Sequence, residues 1–332
     1  MRAWQMQSLG NPWDSEAMIQ VDVPDPVNSE GGVLVHVEAV DLNFADILQC
    51  QGTYQVPRVA PFIPGLSAVG IVLDADEEAK SRGINPGDRV IGMTTGNDGG
   101  YAEQAVIKSS EAVRLEADVD PVQAAAAHVT YSTTWFAYHQ RIHLQAGQTV
   151  LVLAAAGGVG SAAVQLAKAQ GCWVVAAAGT GKQAACESLG ADVALDYDTE
   201  DLYARVMELT DGRGVDVVYD PVGGRYFDIA RRLVAWEGDI LVIGFASGDI
   251  PSVPLNHVLV KNYSVVGVHM GGYWQHDTTP FARCHDEVYR MLKAGEIDPM
   301  IDRVLSFDEL PQGLEDLANR KNRGRYVFDP RS

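Results

Sequence analysis

An apolar run over residues 149–155 leads straight into Ala155-Ala156-Gly157-Gly158-Val159-Gly160, and the helical pattern SAAVQLAKAQ follows before Gly171. A strand, a tight glycine turn and a helix in that order restrict the fold more than any other feature of the chain. The first turn of such a helix offers backbone N–H groups without intrahelical partners, backed by the positive end of the helix dipole. The turn reads A-x-G-x-x-G. In that setting Gly157 lets a pyrophosphate approach the backbone and Gly160 lets helix and strand pack closely, so the motif is read as a dinucleotide-binding turn.

Strand and helix patterns alternate from this point. Apolar runs recur at residues 173–178, 193–195, 215–219, 239–245 and 263–268, with helices between them, one starting at Asp201, one at Arg225 and a short one near 256–260. Continuous apolar strands separated by helices imply a parallel sheet covered on both faces. The expected fold is α/β: a doubly wound, six-stranded Rossmann sheet with its ligand at the carboxyl ends of the strands. Before it, short β-rich runs at 18–23, 33–40, 68–73, 89–93 and 101–107, punctuated by Gly and Pro, predict a compact β-rich barrel. The alanine-rich helical pattern from Pro121 marks the change, and the tail from about Gly271 is too short for a domain of its own. The expected division is therefore residues 1–122 with 271–332 as one domain, and residues 123–270 as the nucleotide-binding domain inserted in it.

Composition removes several functions. Lys and Arg number 25 against 44 Asp and Glu, a net charge of −19 that repels phosphate backbones and anionic lipid. Neither nucleic acid nor a membrane is an expected partner, and no apolar stretch approaches the ~20 residues of a spanning helix. Cys50, Cys172, Cys186 and Cys284 are far apart and form no C-x-x-C pair, so neither a disulfide framework nor a zinc knuckle is signalled. The first 18 residues carry Asp14 and Glu16 and no continuous apolar core, so a reduced, cytoplasmic address is expected. Ser67 in Gly65-Leu66-Ser67-Ala68-Val69-Gly70 has the wrong spacing for a hydrolase elbow, and His139 with His143 lacks a third metal ligand nearby.

Choice of nucleotide is read at the end of the second strand, where an acid would hold the ribose hydroxyls. Here the sequence is Ala176-Ala177-Ala178-Gly179-Thr180-Gly181-Lys182. The position lacks a carboxylate to repel a 2′-phosphate, and Lys182 can donate to one, so NADPH is the expected cofactor.

The segments NFADILQCQGTY, PFIPGLSAVGIV, NPGDRVIGM, AGQTVLVLAAAGGVGSAAVQLAKAQG, LGADVALDY, GRGVDVVYDPVGG and GRYVF run in order along nearly the whole chain. Together they resemble the zinc-independent NADPH:quinone oxidoreductases of the medium-chain dehydrogenase/reductase superfamily. The resemblance implies a GroES-like catalytic domain around the Rossmann domain, with the active site in the cleft between them. It implies Asn43 and Tyr54 near the nicotinamide end, Thr133 at the start of the Rossmann domain, and Gly157, Gly158 and Val159 on the pyrophosphate. Gly179, Lys182 and Tyr197 would surround the 2′-phosphate, Gly244, Phe245 and Val268 would border the nicotinamide, and Arg320 would close over the cofactor.

Where zinc members of the superfamily carry metal ligands, this sequence has Asn43, Leu66-Ser67 and Val129, which offer neither thiolate nor imidazole. Ser67 also departs from the quinone reductases, which usually keep an acid there. The implied reaction is hydride transfer from NADPH to a quinone or to the activated C=C bond of an enone, enal or enoyl thioester. Tyr54 is the expected proton donor, with a cleft-lining role and water as donor as the other reading. A non-catalytic NADPH-binding protein is the rival function. An open sheet edge near residues 265–268 and the resemblance together predict a homodimer.

Overall fold

The computed structural model describes residues 1–28, 31–54, 57–97 and 99–332. The chain divides into two units, Met1–Val129 with Ile301–Ser332 and Thr130–Met300. In the first stretch, β1 (Arg2–Met6) and β2 (Met18–Asp22) form an antiparallel pair. They are followed by β3 (Val33–Asp41), α1 (Phe44–Cys50), β4 (Ser67–Ala75), α2 (Glu77–Ser81), β5 (Arg89–Met93), β6 (Gln104–Ile107) and β7 (Val113–Arg114). β3 shows how the sequence selects the element: Val33, Val35 and Val37 turn into the core while His36 faces solvent, the period of two of a half-covered strand. The alanine-rich segment forms α3 (Pro121–Trp135), which runs on into a π-helical turn over Phe136–Arg141.

The second unit holds six parallel strands: β8 (Thr149–Leu153), β9 (Trp173–Ala178), β10 (Val193–Asp196), β11 (Val215–Asp220), β12 (Val234–Val242) and β13 (Ser264–Gly267). Their spatial order is β10-β9-β8-β11-β12-β13. The helices are α4 (Gly158–Ala169), α5 (Gln183–Ser188), α6 (Leu202–Leu209), α7 (Gly224–Leu233), α8 (Leu255–Lys261), α9 (Tyr273–His276) and α10 (Thr279–Lys293). β8 is buried at every position, as a strand covered on both faces must be. The order reverses between β8 and β11, which brings the turns after those two strands side by side, the place where doubly wound sheets bind ligands.

The chain returns to the first unit as β14 (Ile301–Leu305), α11 (Leu310–Ala318) and β15 (Arg325–Phe328). These complete a seven-stranded sheet in the order β14-β15-β3-β4-β5-β7, with β6 also paired to β3. The six-stranded Rossmann sheet and the β-rich domain built from both ends of the chain are as the sequence predicts.

Two boundaries differ from expectation. Residues 271–300 group with the second unit and residues 123–129 with the first. Aromatic packing explains the first shift: Trp274 stacks on Phe281 at 3.6 Å between ring centroids, and Phe281 and Tyr273 pack on Phe136 at 4.8 and 4.7 Å. Trp135 Nε1 donates to Glu287 at 2.5 Å, while Asp298 and Gln165 exchange a reciprocal pair of hydrogen bonds. β12 also begins earlier than the expected 239, because Val234 already pairs with Val215; the register then slips before Asp239 pairs with Val217. Glu237, with φ +60°, lies in that slip.

Candidate nucleotide-binding site

The glycine turn is fixed to the sheet by its own backbone. Ala155 N–H donates to the Ala177 carbonyl on β9 at 3.0 Å, and Gly157 N–H to the Ala154 carbonyl at 2.8 Å. Gly157 caps α4 without a side chain, so no side-chain oxygen takes up the amides of the first turn, to which Gly158 and Val159 belong. A Cβ on Gly160 would lie 2.2 Å from the Ala154 carbonyl oxygen; on Gly157 it would lie 3.1 Å from that oxygen, with nothing else within 4 Å. Gly160 is therefore required by helix-against-strand packing, and Gly157 leaves the outer face of the turn bare. A polyphosphate fits such a cradle, since the donors and the space are both present.

The end of the neighbouring strand builds a second cluster. β10 pairs with β9 in parallel with Asp196 opposite Ala178, so Tyr197 and Asp198 follow beside Gly179 and Thr180. Tyr197 N–H donates to the Ala178 carbonyl at 3.2 Å, and the edge and hydroxyl of its ring lie 3.9 and 4.0 Å from where a Gly179 Cβ would stand. Lys182, half-buried, begins α5 and donates its N–H to the Gly179 carbonyl at 3.2 Å. Gly179, Lys182 and Tyr197 are thus brought to two adjoining loops at the ends of β9 and β10.

The second of these loops holds an acid that the second strand lacks. Asp198 Oδ2 accepts from Thr180 N–H at 3.3 Å and lies 3.1 Å from the Gly179 Cβ position. The carboxylate comes from the third strand. The signal that locates it is strand adjacency: in a 3-2-1 order, residues just past the third strand flank those just past the second.

At the other side of the switch point, Asp220 is buried and accepts the Val222 and Gly223 amides at 2.8 and 2.9 Å; burial pushes its carboxyl up from the ordinary range. Gly223 has φ +68°, and a Cβ there would meet Phe245 Cδ1 at 3.0 Å. The loop after β12 is tied to this turn by Ile243, Ala246 and Ser247, whose amides donate to Asp220, Pro221 and Val222. Gly244 and Phe245 are held there, and Phe245 is 37% exposed, so core packing alone does not account for it. Val268 N–H donates to the Val242 carbonyl at 3.0 Å, and Thr133 Oγ1, on α3, is 3.8 Å from Met270 Sδ.

In the first unit, Asn43 is 5% exposed and heavily engaged. Its N–H donates to Asp46 Oδ2 at 2.8 Å, its Nδ2 to the Asp41 carbonyl at 3.1 Å, and its Oδ1 accepts from Arg325 at 2.8 Å. Arg325 also grips the buried Asp41 carboxylate and the Leu42 carbonyl. Asp46, fully buried, takes a further amide from Leu66 at 3.1 Å. Burial pushes its carboxyl up to about 6 against the pull of the Asn43 amide.

Tyr54 is half-buried just beyond α1. Burial first, and then the nearby Asp46 charge, raise its phenol above the usual range, with Arg58 pulling the other way. Ser67 is buried at the start of β4, and Arg320 is exposed at the end of α11 with φ +57°. Among the described residues no three His, Cys, Asp or Glu side chains group to hold a metal ion.

A six-stranded sheet in the order 3-2-1-4-5-6, with a glycine turn at its switch point and a β-rich unit made from both ends of the chain, defines a dinucleotide-binding dehydrogenase class. Residues 29–117 match the family model described as alcohol dehydrogenase GroES-like domain, and residues 158–286 the one described as zinc-binding dehydrogenase. Quinone oxidoreductase-like protein 2 of Bos taurus is 37% identical over 94% of this chain and 88% of its own length. A quinone oxidoreductase structure from Pseudomonas syringae is 30% identical with a TM-score of 0.89, covering 99% of each chain. The quinone oxidoreductase of Escherichia coli complexed with NADPH is 25% identical with a TM-score of 0.89, over 99% of this chain and 100% of that one. The chain belongs to the quinone oxidoreductase family of the medium-chain dehydrogenase/reductase superfamily.

Proposed function

We propose that this protein is an NADPH-dependent oxidoreductase that delivers a hydride to quinones or to activated C=C bonds, and that it does so without zinc. The observation that carries the reading is the gathering of Lys182 and Tyr197 at Gly179, beside a turn whose bare amides suit a pyrophosphate. The NADPH complex of the Escherichia coli relative supports the cofactor. Gly157, Gly158 and Val159 would hold the pyrophosphate, Gly179, Lys182 and Tyr197 the 2′-phosphate, and Gly244, Phe245 and Val268 the nicotinamide end. Asn43, Thr133 and Arg320 are further contacts in this reading. Bound NADPH supplies the hydride.

What the chain adds is binding, orientation and a proton. With its phenol raised above the ordinary range, Tyr54 stays protonated at neutral pH and is available as a donor from its hydroxyl to the acceptor's oxygen or carbon. The absence of zinc is supported by the state of the residues that replace the ligands. Ser67 is buried within its strand, and the Asn43 amide is committed to Arg325 and Asp41.

The protein acts as a homodimer in this reading. β13 pairs with β12 alone among the described strands, and Leu255, Leu259 and Val260 on adjoining α8 are 77%, 79% and 73% exposed. A second copy would cover both the edge and that face. The four cysteines are buried and free, which supports a reduced cytoplasmic address, and no described helix is long and apolar enough to cross a membrane.

The test is NADPH oxidation by purified protein with a chelator present, against a simple quinone and a simple enone side by side, with NADH as control. Rapid loss with either acceptor supports the proposal, and their ratio tells a quinone reductase from an alkene reductase. Tight NADPH binding with neither acceptor consumed overturns it in favour of a non-catalytic nucleotide-binding protein.

A further inference from the structure

The end of β9 has no acid of its own, yet a carboxylate stands at its loop. Asp198 Oδ2 accepts from Thr180 N–H at 3.3 Å, while the Asp198 amide donates to Asp196 Oδ1 at 3.0 Å, which fixes the backbone that carries it. Two cations belong to the same neighbourhood. Lys182 opens α5 on the same loop, and Arg225, exposed on the first turn of α7, lays its guanidinium 4.7 Å from the Tyr226 ring centre and donates to the Tyr226 hydroxyl at 2.7 Å. The Tyr226 ring in turn packs on Tyr197 at 4.8 Å. Arg225 forms no ion pair among the described residues, and its proton is held more firmly by the Tyr226 hydroxyl first and then by the Asp198 carboxylate. An exposed carboxylate therefore stands at the same strand ends as the groups that favour a phosphate.

Resting on the NADPH reading above, we propose that Asp198 is a specificity-determining residue that acts against the 2′-phosphate. It takes the part of the acid missing from the second strand, accepting a hydrogen bond from an unphosphorylated ribose and repelling a phosphorylated one. Lys182 and Tyr197 pull toward NADPH, Asp198 pulls toward NADH, and the chain's preference is the balance of the two. The acid arrives from the third strand because the register sets it beside Thr180.

The experiment needs no turnover. Adenosine 2′,5′-bisphosphate and AMP are titrated calorimetrically into the full-length wild type, Asp198→Asn and Asp198→Ala at low and high salt. Asp198→Asn keeps the shape and an acceptor for Thr180 N–H, and removes only the charge. The expected result is a rise of about fivefold in the bisphosphate-to-AMP affinity ratio, in both variants, shrinking at high salt as a screened charge effect must. A ratio unchanged within twofold in both variants, with the wild type binding both ligands, overturns the role of Asp198 and leaves the nucleotide site standing. A wild type that binds neither ligand overturns the nucleotide site itself, and this role with it.

Discussion

Replacing Gly160 with alanine tests whether the nucleotide turn is held by packing or by sequence habit. The new Cβ would stand 2.2 Å from the Ala154 carbonyl oxygen, and Cβ atoms essentially never come within 3.0 Å of another atom, so α4 must retreat by about 0.8 Å, the difference of the two. The obstacle is backbone rather than a side chain that can swing away. The retreat loosens the contacts of Ala162, Ala163, Leu166 and Ala167, all buried on α4. Overpacking of this kind costs about 1–3 kcal/mol, and the helix propensity of alanine returns at most about 1 kcal/mol. A net loss of about 2 kcal/mol in a unit of this size lowers Tm by roughly 4–8 °C.

Gly157→Ala is the matched control. At φ −87° and ψ 177° any residue is accommodated, and its Cβ meets only the one oxygen, at 3.1 Å. It should change Tm by less than about 2 °C but place a methyl group on the face open to the pyrophosphate, weakening NADPH binding about tenfold or more. Thermal denaturation and fluorescence titration with NADPH are run on both. A Gly160→Ala protein with wild-type Tm, or a Gly157→Ala protein that binds NADPH normally, refutes the division of labour between the two glycines.

Lys182→Ala should raise the Kd for NADPH about tenfold and leave NADH within twofold, because only the former carries the phosphate; equal shifts would remove the lysine from the site. Tyr54→Phe should slow enone reduction at least tenfold while quinone reduction changes little, and rates unchanged from the wild type on both acceptors would make the tyrosine a lining residue. Asp46 has a folded pKa raised to about 6, so its stabilising contribution is complete below about pH 4 and is lost as pH rises through 6. Urea unfolding across pH 4–7 should show a downward slope in the wild type that is weaker in Asp46→Asn, and parallel slopes would contradict the assignment. Leu259→Asp should convert a dimer to a monomer by light scattering at micromolar concentration; a monomeric wild type would dispose of the dimer.

What the sequence reveals follows physical range. The strands of the second unit are legible because a strand covered on both faces is apolar along nearly its whole length, as β9 is throughout and β8 is after Thr149. The glycine turn is legible because two glycines at fixed spacing between strand and helix have few other uses. β12 is misplaced at its start because a register slip interrupts its apolar run with Glu237 and Gly238. α10 goes to the wrong unit because its attachment is a set of aromatic contacts to Phe136, far away in sequence. Asp198 escapes for a similar reason: its neighbour Thr180 lies in the turn after another strand, so strand order is needed before the acid can be seen beside it.

The grip of Arg325 on Asp41 carries a consequence for synthesis of the chain on the ribosome. The two residues are separated by 284 positions, and both are buried. Residues 130–300 form one uninterrupted stretch, so the parallel sheet can close while the last strand is still unmade. The first unit must wait. Until residues 325–328 emerge, β3 lacks the strand that joins it to β14, and Asp41, whose carboxyl burial pushes up to about 7 against the pull of Arg325, has no guanidinium to hold it ionised. The nascent chain can therefore hold a closed parallel sheet while the first unit is still incomplete, and that unit closes once Arg325 is made.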